Sequence, residues 1–281
     1  MAASTTPATT SATAPAKDRL GEVFELAWRQ RDYLATVYKR TWKGSVVSSF
    51  LMPVLYLLAM GVGLGGFIDD GSAQSALGGV RYIEFIAPGL LVATAMQTAV
   101  GESTYPVMGG FKWTKVYHSQ VATPLSPASV LLANLAYVLF RLTTTCTVFV
   151  VVLAAFGLMP GVGAAFAVLL VALLVGMAYT TPVFAYSAKL EEPSGFAPVF
   201  RLGIMPMFLF SGAFFNVSQL PDVIEWLAYL NPLWHAVELA RMATIYAVDA
   251  PALLLHIAYL VLLLGVGWWL ALRLFTRRLV G

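Results

Sequence analysis

The feature that most constrains this chain is a set of long stretches that contain no charged residue. Three of them, of 25, 47 and 23 residues, cover 44–68, 142–188 and 250–272. A helix that crosses a bilayer needs about 20 consecutive apolar residues, so each stretch is long enough for at least one crossing. Hydrophobic residues make up 59% of the 281 positions and charged residues only 11%, unlike a soluble globular domain. The chain is therefore predicted to fold with a bilayer as its main solvent.

The apolar runs predict an all-α polytopic membrane protein with six transmembrane helices. We place these spans near 44–67, 83–105, 127–153, 163–187, 197–215 and 252–274. Four prolines fall inside predicted spans, where neighbouring helices can satisfy the carbonyls that a proline leaves free. Residues 44–281 are thus predicted to form one transmembrane domain.

The segment before the first span divides into two parts. Residues 1–19 begin with Ala, Ser, Thr and Pro in a composition that cannot bury a core, which predicts a disordered cytoplasmic tail. Because the first basic residue is Lys17, a cleavable signal peptide is not expected. Residues 20–43 place apolar side chains at helical spacing, and their Trp and Tyr residues favour an amphipathic helix in the headgroup layer. A helix packed against a soluble partner is the alternative.

The distribution of Lys and Arg predicts the orientation. With the N-terminus inside, fourteen of the 17 basic residues lie in or beside cytoplasmic segments, Arg81 and Arg241 lie outside, and Arg141 lies within a span. Cytoplasmic loops carry an excess of basic residues, so both termini are predicted to be cytoplasmic in a bacterial inner membrane. The net charge of +3 follows from this flanking pattern and does not indicate nucleic-acid binding.

The second connection, residues 106–126, mixes aromatic and basic residues. Within it, Phe111 to Ala122 is predicted to form a short helix that ends at Thr123-Pro124, because the residue before proline avoids the α region. Such a helix at the cytoplasmic surface would suit contact with a peripheral motor domain. An ordinary interfacial loop is the alternative interpretation.

The outer segment 216–251 is too polar for a full crossing but rich in apolar residues. One helix is predicted from Pro221 to Leu230, and Asn231-Pro232 should end it and cap a second helix that runs through Arg241. Two short helices joined in this way fit a re-entrant hairpin that dips into the outer leaflet. A small amphipathic cap lying flat on the outer surface fits the same pattern.

Taken together, three regions resemble the type-two ABC exporter permeases. They are the amphipathic start, the region from Glu102-Ser103-Thr104-Tyr105-Pro106 to Thr123-Pro124-Leu125-Ser126-Pro127, and Phe214 to Arg241 with its Asn231-Pro232-Leu233. The likeness covers residues 20–279. Within this family the chain is most similar to the lipo-oligosaccharide or nodulation-factor permease branch, with drug-efflux permeases close by.

This resemblance implies a homodimer bound to two copies of a separate ATPase. It makes 20–43 a connecting helix and 111–122 a coupling helix, and it places 216–251 as the outer hairpin, whose key residues are Pro221, Asn231 and Pro232. The residues expected to contact the ATPase are Phe111, Trp113, Tyr117 and His118. ATP and Mg would bind to the ATPase, because this chain has no Gly-x-x-x-x-Gly-Lys-Ser/Thr loop and is expected to bind no cofactor itself.

Arg141 is the outstanding candidate within the membrane, because charged groups in spans are costly and usually face protein or water. It either lines a substrate path or pairs with an acid, although no acid at its depth is obvious. Phe210 and Phe214 share a helical face by their spacing, and with Phe215 they are candidate path residues. Packing against lipid or a second subunit is the alternative for these aromatics.

The remaining candidates carry little chemistry. His118, His235 and His256 are far apart in sequence, so each is interpreted as a single polar anchor, and no metal site is expected. The one cysteine, Cys146, lies in an apolar run and is interpreted as a packing residue.

The sequence thus predicts a non-enzymatic permease subunit of an ABC exporter for an amphipathic substrate: a lipo-oligosaccharide, a glycolipid or a hydrophobic drug. The alternatives are a membrane-embedded enzyme acting on lipid-linked substrates, and a non-transporting scaffold or immunity protein. An enzyme would need convergent nucleophiles, bases or metal ligands, whereas the acids of this chain are mostly dispersed.

Overall fold

The computed structural model describes Gly21, Val23, Glu25, Thr36, Lys39, Leu51, residues 54–64 and residues 79–281. Within this part of the chain every regular element is a helix and there is no strand, which confirms the all-α class. The five described residues between 20 and 43 are helical. The rest of that predicted amphipathic helix, and the whole predicted tail, lie outside the described residues.

The helices follow one another along the chain with short connections. They are a π-helix at Leu57–Leu64, α1 at Tyr82–Ser103, α2 at Tyr105–Lys112, α3 at Val116–Val121, α4 at Pro127–Ala155, α5 at Val162–Lys189, α6 at Phe196–Pro198, α7 at Met205–Leu209, α8 at Asp222–Tyr229, α9 at Pro232–Thr244 and α10 at Ala250–Val280. A second π-helix, Val199–Ile204, joins α6 to α7, and 3₁₀ turns at Pro193–Gly195 and Val217–Gln219 precede α6 and α8.

Four helical units in the described chain are long and apolar enough to cross a membrane. They are Tyr82–Lys112, which combines α1 and α2, and the helices α4, α5 and α10. These units confirm the predicted second, third, fourth and sixth spans. Their ends follow local rules: α4 begins at Pro127 because the hydroxyl of Ser126 accepts a hydrogen bond from the amide of Ser129, at 3.1 Å.

The predicted first and fifth spans are not confirmed. The first lies partly outside the described residues, and its described part is helical at Leu51 and 54–64. The fifth, predicted as 197–215, differs because its helical backbone ends at Leu209 and residues 211–215 form bends. The stretch from Phe196 to Leu209 rises only about 21 Å, short of an apolar layer of about 30 Å.

Helix α5 lies at the centre of the bundle and packs against α1, α4, α9 and α10. Its closest neighbour is α10, where Gly267 lies against Thr181 and Pro182: a Cβ at position 267 would fall 2.7 Å from Pro182 Cδ. Beside this contact, the hydroxyl of Thr181 donates to the carbonyl of Leu264 at 3.1 Å. A residue without a side chain is therefore required for α10 to approach α5 this closely.

We predict that Gly267→Ala lowers the thermal unfolding temperature of the purified protein, because its methyl group overlaps Pro182. Overpacking of this kind costs about 1–3 kcal/mol. The matched control is Gly265→Ala on the same helix, where no neighbouring atom lies within 4 Å of the added Cβ. Because alanine favours helix over glycine, this control should keep or raise the unfolding temperature. Equal shifts for the two variants would contradict the close packing of α5 and α10.

Candidate functional site

Helices α2 and α3 form an elbow, defined here as residues 105–121. The backbone bends at Thr104, before Pro106, and α2 ends where the carbonyl of Gly109 accepts the amides of Trp113 and Thr114, at 3.1 and 2.9 Å. Lys115 then adopts a left-handed conformation with φ of 51°, and α3 begins at the next residue. The predicted single helix from 111 to 122 is therefore wrong: it is two helical pieces with a turn between them.

An aromatic cluster inside this chain holds the elbow. The ring centroids of Phe111 and Tyr117 are 4.8 Å apart, and Phe275 of α10 lies 4.7 Å from Phe111. Gly110 makes room for the Tyr117 ring, whose Cζ would lie 2.5 Å from a Cβ at that position. Tyr117 is only 5% exposed. Its side chain, like that of Phe111, packs within the chain and is not presented to a partner.

The other two predicted coupling residues lie at the surface. Trp113, in the turn between α2 and α3, is 58% exposed, and His118 on α3 is also exposed. The four residues that the sequence grouped together thus divide into a buried pair and an exposed pair. Contact of the exposed pair with an ATPase stays a prediction.

Arg141 on α4 forms an ion pair with Glu102 on α1. Both Nε and Nη2 of Arg141 lie 2.9 Å from Oε1 of Glu102. This partner was not expected from the sequence, because Glu102 stands near the end of the predicted second span. In the structure the two residues meet because α1 packs against α4 and Glu102 lies on the last turn of α1, before the bend at Thr104.

A cavity of about 490 Å³ opens between the elbow and α4. Its walls combine aromatic and polar side chains, among them Glu102, Tyr105, Trp113, Gln120, Asn134 and Tyr137. We call it the elbow cavity. Its volume lies in the range typical of small-molecule sites.

The outer segment contains two short helices joined at Asn231-Pro232, as the sequence predicted. The side chain of Asn231 accepts a hydrogen bond from the amide of Leu233 at 3.0 Å and donates to the carbonyl of Met207 at 2.6 Å. The hydroxyl of Tyr179 donates to the same amide oxygen at 3.3 Å. Asn231 therefore caps α9 and ties it to α5 and to the end of α7. Pro221 precedes α8, and Pro232 is buried at the start of α9.

Arg241 is buried, although the sequence analysis counted it as an outer-surface charge. It is 2% exposed, and its Nη2 donates to the carbonyl of Gly212 at 2.6 Å. Its guanidinium carbon lies 3.6 Å from the ring centroid of Phe85 on α1, and Glu238 on its own helix pairs with it at 3.3 Å. One feature of the sequence indicated a paired Arg241: Glu238 lies three residues before it on the same helix.

Phe210 and Phe214 do not share a helical face, so that expectation was wrong. The helix ends before Phe210, and Gly212 has a φ of +76°, which turns the chain away. Phe214 then packs on Phe208, with ring centroids 5.2 Å apart. Phe210 is exposed, whereas Phe214 and Phe215 are half-buried. The structure therefore gives these residues different environments.

His235 and His256 form a pair, which corrects their interpretation as separate anchors. Their Nδ1 atoms are 2.7 Å apart, and Tyr259 stacks on His235 at 4.0 Å between centroids. Burial, together with the neighbouring His256, lowers the pKa of His235 to about 4, so this imidazole is neutral at pH 7. Among the described residues no group of three or more His, Cys, Asp or Glu is placed to hold a metal ion.

A helical bundle with four apolar units long enough to cross a membrane, an elbow that begins within the first of them and a short helical hairpin before the last is the architecture of a multi-pass membrane protein. Residues 23–245 match the family model described as ABC-2 type transporter. The chain belongs to this family.

Among known proteins, the chain is similar to several called nodulation protein J. The protein from Sinorhizobium fredii is 29% identical over 255 residues, which is 90% of this chain and 92% of the relative. Those from Rhizobium leguminosarum bv. viciae and Rhizobium meliloti are 28% and 27% identical, each over 90% of this chain and 93% and 92% of their own lengths. The similarity therefore extends over nearly the whole of each protein.

We predict that Arg241→Lys destabilises the protein, because one ammonium group cannot both bind Gly212 and cover the Phe85 ring as the planar guanidinium does. A buried carbonyl left without a donor costs about 1–3 kcal/mol. Thermal unfolding in detergent measures the effect. The control, Arg81→Lys, changes an exposed arginine paired with Glu84 and should shift stability by less than about 0.5 kcal/mol. A stable Arg241→Lys variant would contradict the anchoring role.

Proposed function

We propose that this chain is the permease subunit of an ABC exporter that moves an amphipathic substrate outward across a bacterial inner membrane. The lipo-oligosaccharides, which join a glycan to an acyl chain, are the substrate class that we favour. The observation that carries the proposal is the match to nodulation protein J over 90% of the chain, within the ABC-2 type transporter family.

The proposal includes a separate ATPase that supplies the energy. The sequence lacks a phosphate-binding loop of its own, so nucleotide and Mg would bind to that subunit. We further propose a homodimer of this chain with two ATPase copies, because permeases of this kind act as pairs. The excess of Lys and Arg on one side supports an orientation with both termini in the cytoplasm.

The α2–α3 elbow is the segment that we assign to ATPase contact. Its turn exposes Trp113, and a large exposed aromatic side chain supplies much of the energy of a protein interface when a partner covers it. Behind the turn, Phe111 and Tyr117 pack against α10, so force on the turn would reach the membrane helices.

An amphipathic cargo agrees with the chemistry of the membrane region. The charged pair within it, Arg141 and Glu102, is mutually neutralised at 2.9 Å. Such a region offers an acyl chain apolar contact, but it has little with which to replace the hydration of a strongly charged solute. Phe210, exposed beside the outer hairpin, is the described path aromatic that a passing substrate would meet.

We predict that an acylated neutral oligosaccharide stimulates ATP hydrolysis when the chain is copurified with a candidate ATPase from the same genome and placed in nanodiscs. The free oligosaccharide should give no stimulation, because only the acylated form partitions into the bilayer. Initial rates of phosphate release measure the difference. Stimulation by the free sugar alone, or failure of every acylated glycan tested, would contradict the proposed cargo.

A cysteine experiment tests orientation and ATPase contact together. In a Cys146→Ser background, single cysteines replace Trp113 and Trp226, which are 58% and 63% exposed and therefore well matched. We expect an impermeant maleimide to label only Trp226→Cys in intact cells. A thiol crosslinker in inside-out vesicles should join only Trp113→Cys to the ATPase. The reverse labelling would overturn the orientation, and crosslinking from neither position would overturn the contact.

A further inference from the structure

The elbow cavity lies beside the Arg141–Glu102 pair, and Glu102 forms part of its wall. Its walls come from the end of α1, the elbow, α4 and Phe184 of α5. We propose that this cavity binds the neutral, hydroxyl-rich headgroup of the amphipathic substrate, a short run of sugar rings, before transport. This inference rests on the proposed function and adds to it a location and a ligand chemistry.

Aromatic side chains at the mouth of the cavity offer flat surfaces for sugar rings. Tyr105, whose ring contacts Phe196 on one side, is 47% exposed, Trp113 is 58% exposed, and Tyr137 lines the cavity from α4. A sugar ring has apolar C–H faces and a rim of hydroxyls, so it can stack on an aromatic face and still hydrogen-bond outward. Trp and Tyr have the same division into an apolar body and a polar tip. This lining therefore fits a glycan better than it fits an acyl chain.

The polar atoms of the cavity call for a ligand that donates hydrogen bonds. Oε1 of Gln120 is buried, and no group among the described residues donates to it. Oδ1 of Asn134 accepts from the hydroxyl of Tyr117 at 3.2 Å, and its second lone pair can accept another donor. An unsatisfied buried acceptor destabilises the protein, and a ligand hydroxyl that donates to it would remove that cost. Sugar hydroxyls supply such donors, whereas phosphate esters are mainly acceptors.

The charge of the cavity disfavours an anionic headgroup. Among the described residues that line it, Glu102 alone is charged, and its negative charge is matched by Arg141 just behind the wall. Lys112, the cation at the end of α2, donates instead to the carbonyl of Glu191 at 2.9 Å. None of the described residues that line the cavity is a cation, so a phosphate there would meet a carboxylate and no matching charge in the wall. A neutral glycan meets no such penalty.

The position of the cavity also connects a bound headgroup with the elbow. Gln120 and Tyr117 belong to α3, and the turn that exposes Trp113 directly precedes this helix. A ligand hydrogen-bonded to Gln120 would therefore stabilise α3 in one position relative to α4. Ligand binding in the cavity would therefore affect the position of the turn that we assign to ATPase contact.

The test is equilibrium binding to the full chain in phosphatidylcholine nanodiscs, with dodecyl maltotrioside as the neutral probe and dodecyl phosphate as the anionic one. We expect Gln120→Leu and Tyr137→Leu each to weaken binding of the maltotrioside about tenfold, as expected for a lost hydrogen bond or ring contact. Neither variant should change binding of dodecyl phosphate. Gln219→Leu and Tyr246→Leu, which replace exposed residues on the opposite side of the bundle, should bind both probes as the unmodified chain does.

Thermal unfolding separates a binding role from a structural one. Because Oε1 of Gln120 lacks a donor, Gln120→Leu should keep or raise the unfolding temperature while it weakens glycoside binding. Unchanged maltotrioside affinity in both cavity variants would overturn the site. So would tighter binding of dodecyl phosphate than of the glycoside, which would assign the cavity to lipid phosphate. The ATPase assay tests the exporter proposal separately. Absence of glycan-stimulated hydrolysis with intact cavity binding would overturn the exporter proposal and leave the headgroup site.

Discussion

The constraint on which this structure depends is that apolar surroundings offer no hydrogen-bond partner to a backbone group released where a helix ends. At three places in the described chain, carbonyls near a helix end or bend accept hydrogen bonds from a polar side chain elsewhere in the sequence. Arg241 serves the bend at 211–215, Arg278 the end of α5, and Asn231 the end of α7. Short and broken helices are stable in this bundle because those three side chains come from other helices.

The same hydrogen bonds connect the short helices to the long ones. Arg278, near the end of α10, donates to the carbonyls of Ala188 and Leu190 at 2.7 and 2.9 Å, and its guanidinium lies 4.4 Å from the ring centroid of Phe111 in the elbow. One side chain thus joins the elbow, α5 and α10. Since α5 contacts most of the bundle, we expect a displacement of the elbow to reach the centre of the protein.

Composition and spacing predicted those parts of the fold that depend on local chemistry. Four spans and the pair of helices joined at Asn231-Pro232 followed from apolar length and from capping rules. The fifth span was not confirmed, because hydropathy counts apolar residues and the stretch 197–215 is apolar apart from Arg201 and Ser211. Its helix ends because Gly212 adopts a positive φ and because the carbonyl of Gly212 accepts a hydrogen bond from Arg241, 29 positions away. The spacing of residues within one helix does not reveal a contact between residues so far apart in the sequence.

The candidate site was less predictable, because its chemistry lies in pairs between helices. Arg141 was identified as a costly charge, but its role depends on Glu102, which is 39 positions away and becomes its neighbour because α1 packs against α4. The pairing changes what Arg141 can do. A lone arginine would attract an anion, whereas separating this pair would leave two half-buried charges unmatched. If the proposed substrate passes Arg141, a neutral headgroup would disturb this ion pair less than a charged one would, which agrees with the cargo that we favour.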